Sequence, residues 1–80
     1  MVTRFITYDL NYASSDEYSE LYGLIDKYNG KQITESTYQI VTNEKWETFK
    51  TKFRNATHTG DNVKAMIVHT DKGIEVWTIR

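Results

Sequence analysis

The sequence predicts an α+β domain: a ferredoxin-like sandwich (βαββαβ plus an extra C-terminal strand), with an antiparallel sheet and two helices on one face. Three observations predict it. Two amphipathic stretches of helical spacing alternate with runs rich in β-branched and aromatic residues. Each stretch is bounded by capping or turn-forming residues. No repeat, low-complexity tract or linker divides the 80 residues, so 1–80 reads as one domain, near the lower size limit for a single core.

The elements follow in order. Thr3 to Leu10 reads as a strand with faces Arg4/Ile6/Tyr8/Leu10 and Phe5/Thr7/Asp9. Apolar groups on both faces predict a central strand. Asn11 to Ser14 is a loop, and Ser14 with Glu17 makes a capping box for a helix from about Ser15 to Asn29. Tyr18, Leu21, Ile25 and Tyr28 form its apolar stripe, and Gly30 supplies the stop. Lys31–Thr34 and Thr37–Thr42 read as two short strands joined at Glu35-Ser36, with one bent strand as the competing reading. Thr42 or Asn43 caps a second helix, about Glu44 to Asn55, with Trp46, Phe49 and Phe53 facing inward. Ala56 to Asn62 is a polar loop in which Thr59-Gly60-Asp61-Asn62 lacks the glycine spacing of a phosphate cradle. Val63–His69 and Ile74–Ile79 are strands joined by a turn at Asp71-Lys72-Gly73.

With both helices on one face, the other face of the sheet is bare, and Phe5, Val41 and either Trp77 or Ile79 are expected there. A bare apolar face marks a partner surface, for which a homodimer, with possible exchange of C-terminal strands, is the simplest occupant.

Composition excludes several classes. There is no cysteine, so disulfides and thiolate metal sites are ruled out, and a cytoplasmic location fits. No apolar run approaches the roughly 20 residues of a membrane span, and no signal peptide is expected. A net charge of −1 disfavours tight, sequence-independent gripping of phosphate backbones. The aromatic content, with six Tyr and two Trp, allows a dense small core.

Three pieces carry a family resemblance: Phe5-Ile6-Thr7-Tyr8-Asp9-Leu10-Asn11, the helix with Tyr18, Leu21 and Tyr22, and Ser36-Thr37-Tyr38-Gln39-Ile40-Val41-Thr42. Together they resemble the CRISPR-associated protein 2 superfamily, and more closely its SinR-like relatives. The resemblance implies a ferredoxin-like homodimer in antiviral defence. It also implies that Asp9, ending the first strand, faces its two-fold mate and shares one Mg²⁺ or Mn²⁺ ion for phosphodiester cleavage of RNA or DNA. Family members of the scaffold kind carry an arginine-rich first helix. Here that helix carries Asp16, Glu17, Glu20 and Asp26 against Lys27 alone.

Asp9 is therefore the candidate catalytic and metal-binding residue, set against a simpler role in capping its own loop by an Asx-type bond. His69 ends a strand predicted to neighbour the first and is weighed as a general acid or base; His58 reads as solvated. Lys45, Lys50, Lys52 and Arg54 are the candidate nucleic-acid contacts, or else a solvated helix face. The second function class is a non-enzymatic protein-interaction module, such as an antitoxin or an anti-CRISPR inhibitor of a host nuclease. In that reading Asp16, Glu17, Glu20 and Asp26 meet a basic groove on the partner, with no cofactor.

Overall fold

The computed structural model describes residues 1–69, 71 and 73–80; the predicted turn passes through Lys72, outside the described residues. Its elements are β1 (Val2–Asp9), α1 (Ser15–Lys27), β2 (Lys31–Thr34), β3 (Thr37–Thr42), α2 (Trp46–Asn55), β4 (Asn62–His69) and β5 (Gly73–Thr78). The five strands form one antiparallel sheet in the order β2-β3-β1-β4-β5. This places β1 at the centre, as its two-sided apolar pattern predicts, and Lys31–Thr42 forms two strands rather than one.

Period-two alternation sorts the side chains. Arg4, Ile6 and Tyr8 of β1 are buried, and so are their lateral neighbours Ile40, Ala65 and Val63. Leu21 and Ile25 of α1 and Phe49 and Phe53 of α2 close the same cluster, so both helices cover this face. Arg4 is buried because its guanidinium lies 4.8 Å from the Phe49 ring centre and 5.7 Å from that of Trp46, while Nη1 donates to the Glu44 carbonyl.

Trp77 and Ile79 both lie on the helical side, contrary to the expectation that one would face away. Trp77 stands opposite Ala65 and meets Trp46 edge-on at 4.8 Å, and Ile79 is buried in the core. The pairing of Met66 with Val76 and of Val68 with Ile74 puts Ile74 and Val76 on the helix-free face instead. The alternation along this strand carries apolar residues at both parities, so only the register decides. β5 pairs with β4 from Lys64–Thr78 to His69–Gly73.

The helix ends show why the sequence stops where it does. Ser14 Oγ accepts from the Glu17 amide at 3.2 Å. At the other end, the Gly30 amide donates to the Ile25 carbonyl and the Asn29 amide to that of Asp26. This is a Schellman closure in which Asn29, at φ 54°, takes the left-handed position predicted for a glycine. Gly30 serves close packing: a Cβ there would stand 2.5 Å from Ile25 Cγ2, a buried side chain with nowhere to go. Gly30→Ala should therefore destabilise the fold by about 1–3 kcal/mol, measured as a lower urea midpoint with an unchanged slope. In α2 the cap position falls to Lys45, with no side-chain bond, because Thr42 Oγ1 accepts from the Glu44 amide as a turn instead.

Candidate functional site

Asp9 is the last residue of β1, exposed, opposite Asn62 of β4 and on the helix-free parity with Phe5 and Thr7. Around this strand end opens a cleft of about 990 Å³ whose walls include Tyr8, Tyr18, Tyr22, Glu35 and Lys64. The tyrosines support one another. The Tyr8 ring stacks on Tyr38 at 6.5 Å and meets Tyr22 edge-on at 6.3 Å, and Tyr18 lies 5.8 Å from Tyr22. The Tyr8 hydroxyl lies 3.3 Å from both the Tyr22 hydroxyl and the Glu35 carbonyl. Burial, and then the bond with Tyr22, push the Tyr8 phenol well above its ordinary range, so it remains a donor. Lys64 Nζ donates to the Arg80 carbonyl at 2.9 Å.

Directly after Asp9, the loop turns outward. Tyr12 sits at φ 53° with 99% of its surface exposed, an unusual conformation for an aromatic residue. The loop is pinned from behind by Asp61. One Asp61 carboxylate oxygen accepts the Asn11 amide at 2.8 Å, and the other accepts the His58 amide at 2.8 Å. Glu17 is buried beside it. The hydrogen bond with Asp61, then burial, hold the Glu17 carboxyl above its ordinary range. Burial would raise Asp61 too, but the bonds from Glu17 and the Asn11 and His58 amides outweigh it and hold Asp61 low. Of the two carboxyls, Glu17 is therefore the one that holds a proton more readily.

The predicted site residues separate under this geometry. Although β1 and β4 are neighbours, they run antiparallel, so His69 lies at the far end of β4 from Asp9's partner Asn62. Seven residues of strand amount to roughly 23 Å, and His69 Nε2 instead meets Glu75 at 2.9 Å. An acid–base role for His69 beside Asp9 is excluded by this distance. His58 is exposed as read, but its Nδ1 approaches Glu17 Oε1 at 3.6 Å. Glu17 leaves the expected acidic surface, since its side chain is buried toward the Asp61 loop; Asp16, Glu20 and Asp26 remain exposed.

The basic helix α2 covers the face opposite Asp9's. Lys52 is held by Glu44 at 2.6 Å and lies over the Tyr28 ring, and Arg54 donates to the Ile79 carbonyl. Lys45 is exposed and Lys50 half-buried. Glu44, which burial would raise, is held below the usual range by Lys52 and by the Tyr28 hydroxyl.

Sequence reasoning missed the Glu17–Asp61 pair and the Tyr12 prominence. By sequence Asp61 is only part of a turn, and residue types 44 positions apart give no local signal of contact. Among the described residues, no group of three or more His, Asp or Glu side chains is placed to hold a metal ion. Among the same residues, no helix is long and apolar enough to cross a membrane. Compared with protein-family models, curated proteins and solved structures, the chain matches none.

Proposed function

We propose that the chain is a ferredoxin-like, cytoplasmic homodimer that acts on nucleic acid in the manner of the SinR-like relatives of CRISPR-associated protein 2. Two copies join through the helix-free face, and Asp9 from each holds a shared Mg²⁺ or Mn²⁺ ion. The observation that carries this reading is that Asp9 lies on the same face as a continuous apolar patch. Phe5, Val41, Met66, Val68, Ile74 and Val76 share that face, and Val68, Ile74 and Val76 are each more than half exposed.

Geometry restricts how the copies pair. Asp9 lies four residues from Phe5, about 13 Å along the strand. A two-fold axis running along β1 brings both Asp9 carboxylates to one end of the interface; an axis across the strands sends them to opposite ends. The first arrangement is the one proposed. A divalent ion bound there neutralises charge on a phosphodiester and activates a water. The exposed Asp9 carboxylates are suitably hard ligands, with Asn62 beside each.

Sedimentation should show a dimer at micromolar concentration, and Val76→Glu should make it a monomer by burying a charge in the interface. The dimer should cleave single-stranded RNA or duplex DNA only with Mg²⁺ or Mn²⁺. Asp9→Asn should lower the rate by at least roughly a hundredfold without changing the dimer. A monomeric wild type, or full cleavage by Asp9→Asn, overturns the reading.

One observation favours a second reading. Lys52 and Arg54 are engaged within the chain on the face away from Asp9, while Asp16, Glu20 and Asp26 stand exposed along α1. A protein-interaction module, such as an antitoxin or phage-encoded inhibitor, would offer these acids to a basic groove. Salt-sensitive binding to a basic nuclease, with no cleavage by wild type, selects it.

A further inference from the structure

We propose that Glu17 and Asp61 form a proton-operated latch that fastens the β1–α1 loop, with Tyr12 at its tip, onto the α2–β4 loop, and that the latch loosens as pH rises. This goes beyond the dimer reading and stands whether or not Asp9 binds a metal.

The geometry supplies the parts. Three segments meet at one buried point: the Asn11 amide and the His58 amide each donate to Asp61, and Glu17, in the first turn of α1, is buried against the same loop with its Oε1 3.6 Å from His58 Nδ1. Glu17 and Asp61 are each only 4% exposed. Glu17 Oε2 is buried with no donor among the described residues. An ionised Glu17 would thus set an unsatisfied acceptor beside a second carboxylate, whereas protonated Glu17 becomes a donor to Asp61. The two loops are seated closely, since a Cβ on Gly60, at φ 100°, would stand 3.5 Å from Asn11 Nδ2.

The titratable groups around Glu17 are Asp61 and His58 on the α2–β4 loop and Glu20 on its own helix. Asp61 and Glu20 resist ionisation of Glu17, and only His58 favours it. The His58 imidazole is largely exposed, so it screens Glu17 only from the solvent side. Once Glu17 loses its proton, two buried carboxylates face each other, and the Asn11–Ala13 loop loses its anchor.

The sign follows from linkage. The closed latch holds a proton that the open loop releases in the ordinary glutamate range. Opening therefore grows about tenfold per pH unit from that range up to the raised value of the closed state, then levels off. The test is a pH titration of the free protein by NMR. In wild type, the Glu17 side-chain carboxyl carbon should titrate above the ordinary glutamate range. The Asn11 amide should shift in the same step, with its hydrogen exchange rising beyond the intrinsic dependence on pH. Glu17→Gln keeps a donor toward Asp61 and should abolish that step at Asn11 while preserving a folded spectrum. A Glu17 carbon that titrates in the ordinary range overturns the latch, as does an Asn11 step that persists in Glu17→Gln. The readout uses neither metal nor substrate, so loss of the nuclease reading leaves it intact, and its own failure leaves that reading standing.

Discussion

Phe49→Ala should remove about 3–5 kcal/mol of folding stability. A domain of this length has roughly 4–12 kcal/mol in all, so the variant is expected to be largely or marginally unfolded at room temperature. Phe49 is fully buried where the layers meet: its ring centre lies 4.8 Å from Phe53, 5.4 Å from Tyr28 and 6.1 Å from Trp46. Truncation leaves a cavity among aromatic rings whose own packing prevents collapse. It also strips the Arg4 guanidinium of its nearest ring, and Arg4 is buried with Nε unpartnered among the described residues. The two losses reinforce each other because an uncovered buried cation is costly. Phe49→Leu keeps most of the volume and should cost appreciably less. Urea unfolding followed by tryptophan fluorescence measures both, since Trp46 stacks on Phe49. A loss below 1 kcal/mol for the alanine variant would show that α2 does not dock on the sheet through this ring.

That core was legible because it is periodic. Leu21 and Ile25 in α1, Phe49 and Phe53 in α2, and the buried parity of β1 each announce a face within a few residues of sequence. The central position of β1 followed from apolar groups on both its sides. What the pattern could not give was the parity of β5, where Ile74, Val76, Trp77 and Ile79 offer apolar side chains to either face and the pairing with β4 decides. The acid pair was illegible for a different reason. Glu17 matched a local signature, Ser14-x-x-Glu17, whose first half forms: the Glu17 amide does donate to Ser14 Oγ. The second half fails because Asp61, distant in sequence, competes successfully for the carboxyl. Likewise strand adjacency alone sets His69 near Asp9, and the direction of β4 separates them. Local rules read one element at a time; contacts between loops lie outside their reach.

Asp61→Ala should cost about 3–5 kcal/mol, an effect larger than an exposed loop aspartate would produce. Two backbone amides, from Asn11 and His58, donate to this carboxylate at 2.8 Å, and hydrogen bonds to a charged acceptor contribute about 1.5–3 kcal/mol each. Alanine leaves both amides and Glu17 without their acceptor. Asp61→Asn retains one carbonyl oxygen and should fall between. The pH dependence separates this explanation from simple loss of packing. In wild type, Glu17 is raised, so its contribution is complete below the ordinary glutamate range and is lost as pH rises through its folded value. Asp61 is lowered, so its contribution is present above the ordinary aspartate range and is lost as pH falls through its folded value. The pair by itself thus favours mildly acidic solution, where Glu17 holds a proton more readily than Asp61. Removing Asp61 removes the main cause of the Glu17 shift, so the decline toward high pH should flatten in Asp61→Ala. Urea midpoints measured from about pH 3 to pH 9 decide it. An equal loss at every pH would mean that the carboxylate acts only as a hydrogen-bond acceptor and that Glu17 takes no part in holding the loops together.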